Sequence, residues 1–336
     1  MSFGKHTLKD IAKALNLSTS TVSRALRDSY EIGEKTKKRV LDYAAEINFQ
    51  VNPIARSLKE KRSNTIGIIV NEISNNFLSQ VIEGVESVAF EMNYQVLISQ
   101  SLDSAKREKK IVEHFFSRSV DGLLMTLTAE ESQTEYLQRL AGSGYPLVFF
   151  DRVPGNIAAH KVIAENVKGS FKAVEYLLQA GCRRIAHLTG NLNLSTNRER
   201  LDGFKEGLLS YGLEFDERFL AHCDSGVIDD QQMQQVVSRL RSHGYDGIFI
   251  SGDRLTTGYL QAINKMGYAG SGENQAKIVG FTNSKVVDIF SPSIVSIKQP
   301  AIEMGQQAAR LLISQIQAKY PLEDFQTLRL PLEVLS

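Results

Sequence analysis

From Thr7 to Arg27 the apolar positions recur at helical spacing: Leu8, Ile11, Ala12 and Leu15 form one face of a first helix. Thr7 precedes this face and Asp10 follows three residues later, a pair that serves the free N–H groups of a first turn. Asn16-Leu17 breaks the period. Ser18 can cap a second short helix over Thr19 to Leu26, and Val22, Ala25 and Leu26 turn that helix back onto the first. Gly33-Glu34-Lys35-Thr36 opens a third helix, whose Val40, Leu41, Ala44 and Ile47 close a small core and whose end falls at Asn48. The pattern is a helix-turn-helix inside an all-α head of three helices, residues 1–48. The second helix leaves Thr19, Ser20, Ser23 and Arg24 outward. Small hydroxyls and a guanidinium fork that matches guanine O6 and N7 are base-reading chemistry.

Residues 49–63 form a hinge. Asn52-Pro53 specifies a helix start, yet Asn52-Pro53-Ile54-Ala55-Arg56-Ser57-Leu58-Lys59 is too short to hold a helix by itself in water. Such a segment folds when something supports it. Leu58, flanked by Arg56 and Lys59, suits a side chain that wedges between base pairs while its neighbours hold phosphates.

From Asn64 onward the pattern becomes short apolar runs alternating with amphipathic helices, the mark of parallel sheets covered on both faces. Strands are expected over Ile66–Val70, Gln95–Ile98, Gly122–Met125, Leu147–Phe150, Lys161–Ile163, Ile185–Leu188, Gly247–Ile250, Lys277–Gly280 and Ile294–Ile297. Helices are expected over Asn76–Met92, Ala105–Ser117, Val167–Ala180, Asn197–Tyr211, Asp229–Ser242, Thr256–Lys265 and Ala301–Lys319. Nine such strands exceed one comfortable open sheet, so two lobes of similar design are expected.

Net charge sharpens the division. The 336 residues carry +1 overall, but up to Arg62 there are 13 Lys and Arg against 7 Asp and Glu. The head is therefore +6 and the remainder −5, which points to a polyanionic partner for the head alone. Cys182 and Cys223 have no CxxC spacing and no secretory leader precedes the head, so reduced thiols in the cytoplasm are expected. No apolar run reaches the roughly 18–20 residues of a membrane span.

TLKDIAKALNLSTSTVSRAL, the NPIARSLK hinge and the following NTIGIIVNEISNNF resemble the lac-repressor/galactose-repressor family of bacterial transcription regulators, and the likeness runs over essentially the whole chain. The resemblance implies a homodimer on palindromic, double-stranded operator DNA, with the second helix of each head in the major groove and paired hinge helices in the minor groove. By the resemblance Thr19, Ser20 and Arg24 read bases, and Thr7, Ser18, Thr21 and Ser23 sit at the backbone. Asn52, Ala55, Leu58 and Lys59 are its hinge contacts, with Leu58 the kinking residue. It further implies that 64–336 is an α/β two-lobed effector and dimerisation domain like the type I periplasmic binding proteins, crossing between lobes near Ile163, Ser291 and Phe325. The N-lobe then holds about 64–162 and 292–325, and the C-lobe about 163–291 and 326–336. The chain ends after its final strand with no leucine-heptad tail, so a tetramer is not expected.

Ligands in open α/β sheets collect beyond the carboxyl ends of strands. The polar residues there are Asn76 with Phe77, Asp151-Arg152, the stretch Asn197 to Arg200, Asp253, and Thr282-Asn283. Carboxylates, guanidinia and amides with Phe77 as a stacking face suit a small-molecule effector, a sugar or sugar acid. By the resemblance Arg200, in Arg200-Leu201-Asp202-Gly203-Phe204, contacts effector. Gly280-Phe281-Thr282-Asn283 departs from the family pattern by placing a hydroxyl where a carboxylate is usual. A nucleobase, suggested by the hinge's likeness to the purine-repressor branch, and a phosphorylated carrier protein are the alternative effectors.

An enzyme is not expected. There is no G-x-G-x-x-G between strand and helix, no P-loop, no G-x-S-x-G elbow and no H-E-x-x-H, and the six histidines show no ligand spacing. No cofactor or metal is implied, and a periplasmic solute-binding protein would lack the basic head.

Overall fold

The computed structural model describes residues 6–49, 62–128, 134–223, 229–268, 276–284, 294–320 and 324–335. The chain divides into two compact units, Met1–Ser63 and Asn64–Ser336.

The first unit holds α1 (Leu8–Leu15), α2 (Thr19–Ala25) and α3 (Glu34–Glu46). The expected capping box closes α1: Asp10 N–H donates to Thr7 Oγ1 at 3.3 Å, and Thr7 N–H donates to Asp10 Oδ2 at 2.7 Å. Asn16 ends α1 at φ 54°, a left-handed conformation that Asn tolerates better than most residues. Ile11, Val22 and Val40 are fully buried and Ala12, Ala25 and Ala44 nearly so. Leu41 is 51% exposed and does not join this core. The buried stripe of α3 runs through Lys37, Val40 and Ala44, at three- and four-residue steps, and Leu41 stands one residue off it.

The second unit contains two six-stranded sheets. The N-lobe sheet runs β2 (Gln95–Gln100), β1 (Thr65–Val70), β3 (Gly122–Met125), β4 (Leu147–Phe150), β5 (His160–Ala164) and β11 (Thr327–Leu330), all parallel. The C-lobe sheet runs β7 (Leu220–Cys223), β6 (Ile185–Gly190), β8 (Gly247–Ile250), β9 (Lys277–Phe281), β10 (Ile294–Lys298) and β12 (Glu333–Leu335), with only β12 antiparallel to its neighbour. In the N-lobe α4 (Asn76–Glu91), α5 (Ala105–Ser117), α6 (Glu135–Gly142) and α11 (Ala301–Gln317) serve as crossovers. Their C-lobe counterparts are α7 (Asn166–Gln179), α8 (Ser195–Ser210), α9 (Asp230–Ser242) and α10 (Asp253–Lys265).

Each lobe is built on one helix pair in backbone contact. A Cβ on Gly84 of α4 would stand 2.1 Å from the Ile302 carbonyl oxygen, and one on Gly305 of α11 would stand 2.1 Å from that of Val81. The C-lobe repeats the device, with Gly203 of α8 against the Val167 carbonyl at 2.2 Å. Only glycine permits this approach.

The first lobe boundary lies where expected and the other two differ. The first crossing follows Ala164, since β5 pairs with β4 and α7 packs in the other lobe. The second follows Lys298, which places β10 in the C-lobe. The third falls between Leu330 and Glu333, which places β11 in the N-lobe. An apolar run states that a strand exists but not which sheet receives it, and register supplies that information. Strands β7 and β12 and helix α6 are further elements that the apolar pattern leaves unmarked. Their short, partly exposed runs carry too few apolar positions to set a period.

Two histidines are buried as neutral groups. His187 stacks between Phe204 and Phe249 at 4.8 and 4.7 Å, and burial lowers its pKa to about 3. His160 opens β5, and its Nδ1 accepts a hydrogen bond from Gln326 N–H at 3.0 Å at the entry to β11. Burial pushes its pKa below the ordinary 6.5. Because the folded values lie below the unfolded one, the stabilising contribution is complete above pH 6.5 and is lost as pH falls through the folded values. The loss is expected from both groups and sets in below pH 6.5. His160→Gln keeps an acceptor but does not titrate. Urea midpoints followed by circular dichroism should fall between pH 7 and 5.5 in the parent and clearly less in this variant; identical slopes would remove His160 as a source.

Candidate functional site

The head presents one polar face. Ser18 Oγ accepts from Thr21 N–H at 3.0 Å and lies 2.7 Å from Ser20 Oγ and 2.8 Å from Thr21 Oγ1, so three hydroxyls form a knot at the N-terminus of α2. Thr7, Thr19, Ser20 and Arg24 are exposed, and Ser23 is half-buried. Arg24 Nη1 forms an ion pair with Glu31 Oε2 at 2.7 Å, a partner outside the set expected from sequence. The hinge residues Asn52, Ala55, Leu58 and Lys59 lie outside the described residues.

The second unit gathers the strand-end residues into a cleft between its lobes. From the N-lobe comes Asp151, directly after β4 and at φ 58°, where most non-glycine side chains are strained. Burial raises its carboxyl above the usual range, while Arg152, Arg200 and the Gln299 amide work against that rise. Arg152 Nη1 is fixed by Asp103 Oδ1 at 2.7 Å, and Asn71 Nδ2 donates to the same oxygen at 2.5 Å.

From the C-lobe comes Arg200, 6% exposed. Its Nε donates to Asn166 Oδ1 at 2.9 Å, its Nη1 donates to the Ser251 carbonyl at 2.8 Å, and its guanidinium carbon lies 3.9 Å from the centre of the Phe281 ring. Burial lowers its pKa to about 10 against the opposing pull of Asp151 and Glu199, which leaves a cation at neutral pH. Thr282 Oγ1 donates to Asp253 Oδ1, and Asn76 Nδ2 reaches Asp253 Oδ2 at 3.4 Å from the other lobe.

Phe77 and Asn283 do not stand as open effector contacts. Phe77 is 5% exposed and belongs to the buried apolar core. Asn283 Nδ2 donates to Gln80 Oε1 and to the Gln299 carbonyl, both at 2.9 Å, while its Oδ1 accepts from Gln299 N–H at 3.0 Å. That amide is spent on joining the lobes. Glu72, Asn76 and Gln80 follow one another at four-residue steps and meet Arg254 at 2.7 Å, Asp253 and Asn283, a polar seam along one side of the cleft.

Phe281, Gln299, Asn166 and Asn71 also face this site and lie outside the expected set. Gln299 Nε2 is buried and lies close enough to Asp151 to favour its carboxylate form. Asn71 follows β1 and Gln299 follows β10, so the strand-end rule that selects Asp151 selects them as well. The site offers acceptors on Asp151 and Asp253 and donors on Arg152, Arg200 and Gln299. Such a set of donors and acceptors suits a small polyhydroxylated molecule. Among the described residues no group of side chains is arranged to hold a metal ion, and no helix is long and apolar enough to cross a membrane.

Comparison with known proteins places this geometry among relatives. Residues 7–52 match the model of bacterial regulatory proteins of the lacI family, and residues 66–320 match a periplasmic binding protein domain. The chain is 32% identical over 321 residues to a ribose operon repressor of Halalkalibacterium halodurans, covering 95% of this chain and 92% of that one. A crystal structure from Burkholderia thailandensis, assigned as a ribose operon repressor, is 31% identical with a TM-score of 0.72, covering 82% of this chain and 99% of that one. A lacI-family regulator from Enterococcus faecium with bound ribose is 25% identical with a TM-score of 0.69, covering 81% and 97%.

Restoring a carboxylate by Thr282→Asp should set two acids within hydrogen-bond reach, because Thr282 already touches Asp253. One of them then has its folded pKa raised above the unfolded value, at a cost of about 1–3 kcal/mol at pH 7 that shrinks as pH falls toward 5. Urea unfolding at both pH values tests this. An equal loss at both would mean that the two side chains do not couple.

Proposed function

The chain belongs to the lacI family of bacterial regulatory proteins, DNA-binding transcription regulators and not enzymes, and on that premise we propose a repressor that binds a palindromic operator as a homodimer and answers to a sugar held between its lobes. Arg200 carries the sugar reading: a buried guanidinium across from Asp151, both at strand ends, is the donor and acceptor pair that vicinal hydroxyls require. The ribose operon repressors among the relatives, and the ribose held by one of them, support a pentose as the first candidate. A nucleobase fits less well, because Phe77 is packed into the core and the Phe281 face is taken by Arg200. A phosphorylated carrier protein is opposed by charge, since the exposed side of α4 carries Glu83, Glu86 and Glu91 and that of α11 carries Glu303.

In the head, Thr19, Ser20 and Arg24 are assigned to base edges, and Thr7, Ser18, Thr21 and Ser23 to the DNA backbone. Asn52, Ala55, Leu58 and Lys59 are assigned to the minor groove. The site of action is the cytoplasm, where the operator lies. A coupling of about 1–3 kcal/mol between cleft and hinge changes operator affinity severalfold to a hundredfold.

The second copy is assigned to the β2 edge of the N-lobe. Leu97 and Ile98 are 39% and 44% exposed on this strand, with Leu102 at 51% and Phe90 at 82% in the neighbouring segments. An edge strand with exposed large apolar groups invites coverage.

Two experiments test these assignments. In a thermal-shift panel of sugars, sugar acids and nucleobases, ribose at a hundred times its Kd should add about 2.7 kcal/mol of stability. Arg200→Lys should weaken that binding about tenfold to hundredfold, because one ammonium cannot replace two directed guanidinium bonds. A response to nucleobases alone would overturn the sugar reading. Separately, Leu97→Glu with Ile98→Glu should turn a dimer into a monomer in sedimentation and lower operator affinity at least tenfold; a dimer that survives both changes would place the interface elsewhere.

A further inference from the structure

Arg24 is not left to move freely on the surface of the head. Its Nη1 lies 2.7 Å from Glu31 Oε2, with both side chains about half exposed. Glu31 sits in the loop between α2 and α3, and that loop is tied down at several points. Arg27 and Ser29 N–H groups donate to the Arg24 carbonyl at 3.2 and 3.1 Å, and Asp28 N–H donates to that of Ala25 at 3.2 Å. Ile32 N–H returns to the Ser29 carbonyl at 3.2 Å. Asp28, at φ 56°, is gripped by Lys37 Nζ at 2.7 Å, and Lys37 also holds Glu34 at 3.0 Å. These attractions hold the Lys37 pKa above its ordinary value. The carboxylate that meets Arg24 is thus delivered by a fixed turn.

An exposed ion pair of this kind adds almost nothing to stability. A carboxylate on a face meant for DNA also repels phosphate, so it lowers affinity for duplex of any sequence. Its value therefore lies in what it does to Arg24. A flexible arginine serves the nearest phosphate; one whose Nη1 is held keeps the plane of its remaining donors in one orientation, as the O6 and N7 atoms of a guanine require.

We propose that Glu31 is a positioning residue for operator recognition, holding Arg24 to one guanine edge and away from the phosphates. The inference rests on the DNA-reading role of the α2 face.

The test uses the full-length protein. Duplexes selected from a random pool by the parent define its preferred site, and competition binding then measures base preference at each position for Arg24→Ala, Glu31→Ala, Glu31→Gln and the double variant. Arg24→Ala should lose the preference for one G·C pair in each half-site. Glu31→Ala should weaken that same preference about tenfold, bind random duplex more tightly and steepen the log–log salt slope by about one, as the freed guanidinium takes a phosphate. Glu31→Gln, which keeps an acceptor without its charge, should fall between parent and Glu31→Ala. In the Arg24→Ala background, Glu31→Ala should leave base preference unchanged. If Arg24→Ala loses the preference while Glu31→Ala retains both preference and salt slope, the positioning role is overturned and the reading face stands. If the parent selects no site, or Arg24→Ala discriminates as the parent does, the reading face itself fails and the inference falls with it. Additive losses in the double variant would assign Glu31 a separate contact of its own and also overturn the proposal.

Discussion

Three chain crossings between the lobes govern the rest of the second unit. Each sheet is completed only after the chain has left for the other lobe and come back: β11 joins the N-lobe sheet with Thr327 opposite Lys161, and β12 closes the C-lobe sheet with Glu333 opposite Lys298. Neither lobe is a contiguous segment, so neither sheet is complete without chain that has passed through the other. The crossings also decide where function sits. Asn166 and Gln299 flank the first two, where backbone leaves one sheet for the next and polar groups have room to face inward. A ligand seated there touches the parts whose displacement moves one lobe against the other.

Much of this was legible from residue types. The Thr7/Asp10 cap, Ser18 and the left-handed Asn16 and Asn48 mark the head because their side chains satisfy, or their backbones terminate, helix hydrogen bonding locally. Strands β3, β4 and β8 stand at their expected limits because both their faces are buried and every position is apolar. Pairing was not legible. It is a long-range property, and Ile294–Lys298 would serve either sheet equally well by composition. The same limit explains Phe77 and Phe281. Both rings follow or end a strand near the cleft, and only packing decides that one enters the core while the other lies beneath a guanidinium. It also explains Asn283, whose amide looks free in sequence and is consumed by Gln80 and Gln299, residues 203 and 16 positions away.

The side chains assigned to binding share one arrangement. Arg24 is held by Glu31, Arg152 by Asp103, Arg200 by Asn166 and the Ser251 carbonyl, and Asp253 by Thr282. In each pair the partner restricts rotation without satisfying every donor or acceptor, so the group arrives at its ligand already oriented. Orientation of this kind lowers the entropy lost on binding, and it discriminates between ligands more than it adds affinity.

The substitution of Thr282 for a carboxylate follows the same logic. With its hydroxyl donated to Asp253, Thr282 adds no carboxylate at the end of β9, and the acid it meets enters from α10 instead. Asp253 is reached from the opposite lobe by Asn76, and the adjacent Arg254 pairs with Glu72, so the acid is tied into the seam that joins the lobes. A ligand that draws on Asp253 competes directly with an interlobe contact. In such a cleft, recognition of the ligand and movement of the lobes draw on the same hydrogen bonds.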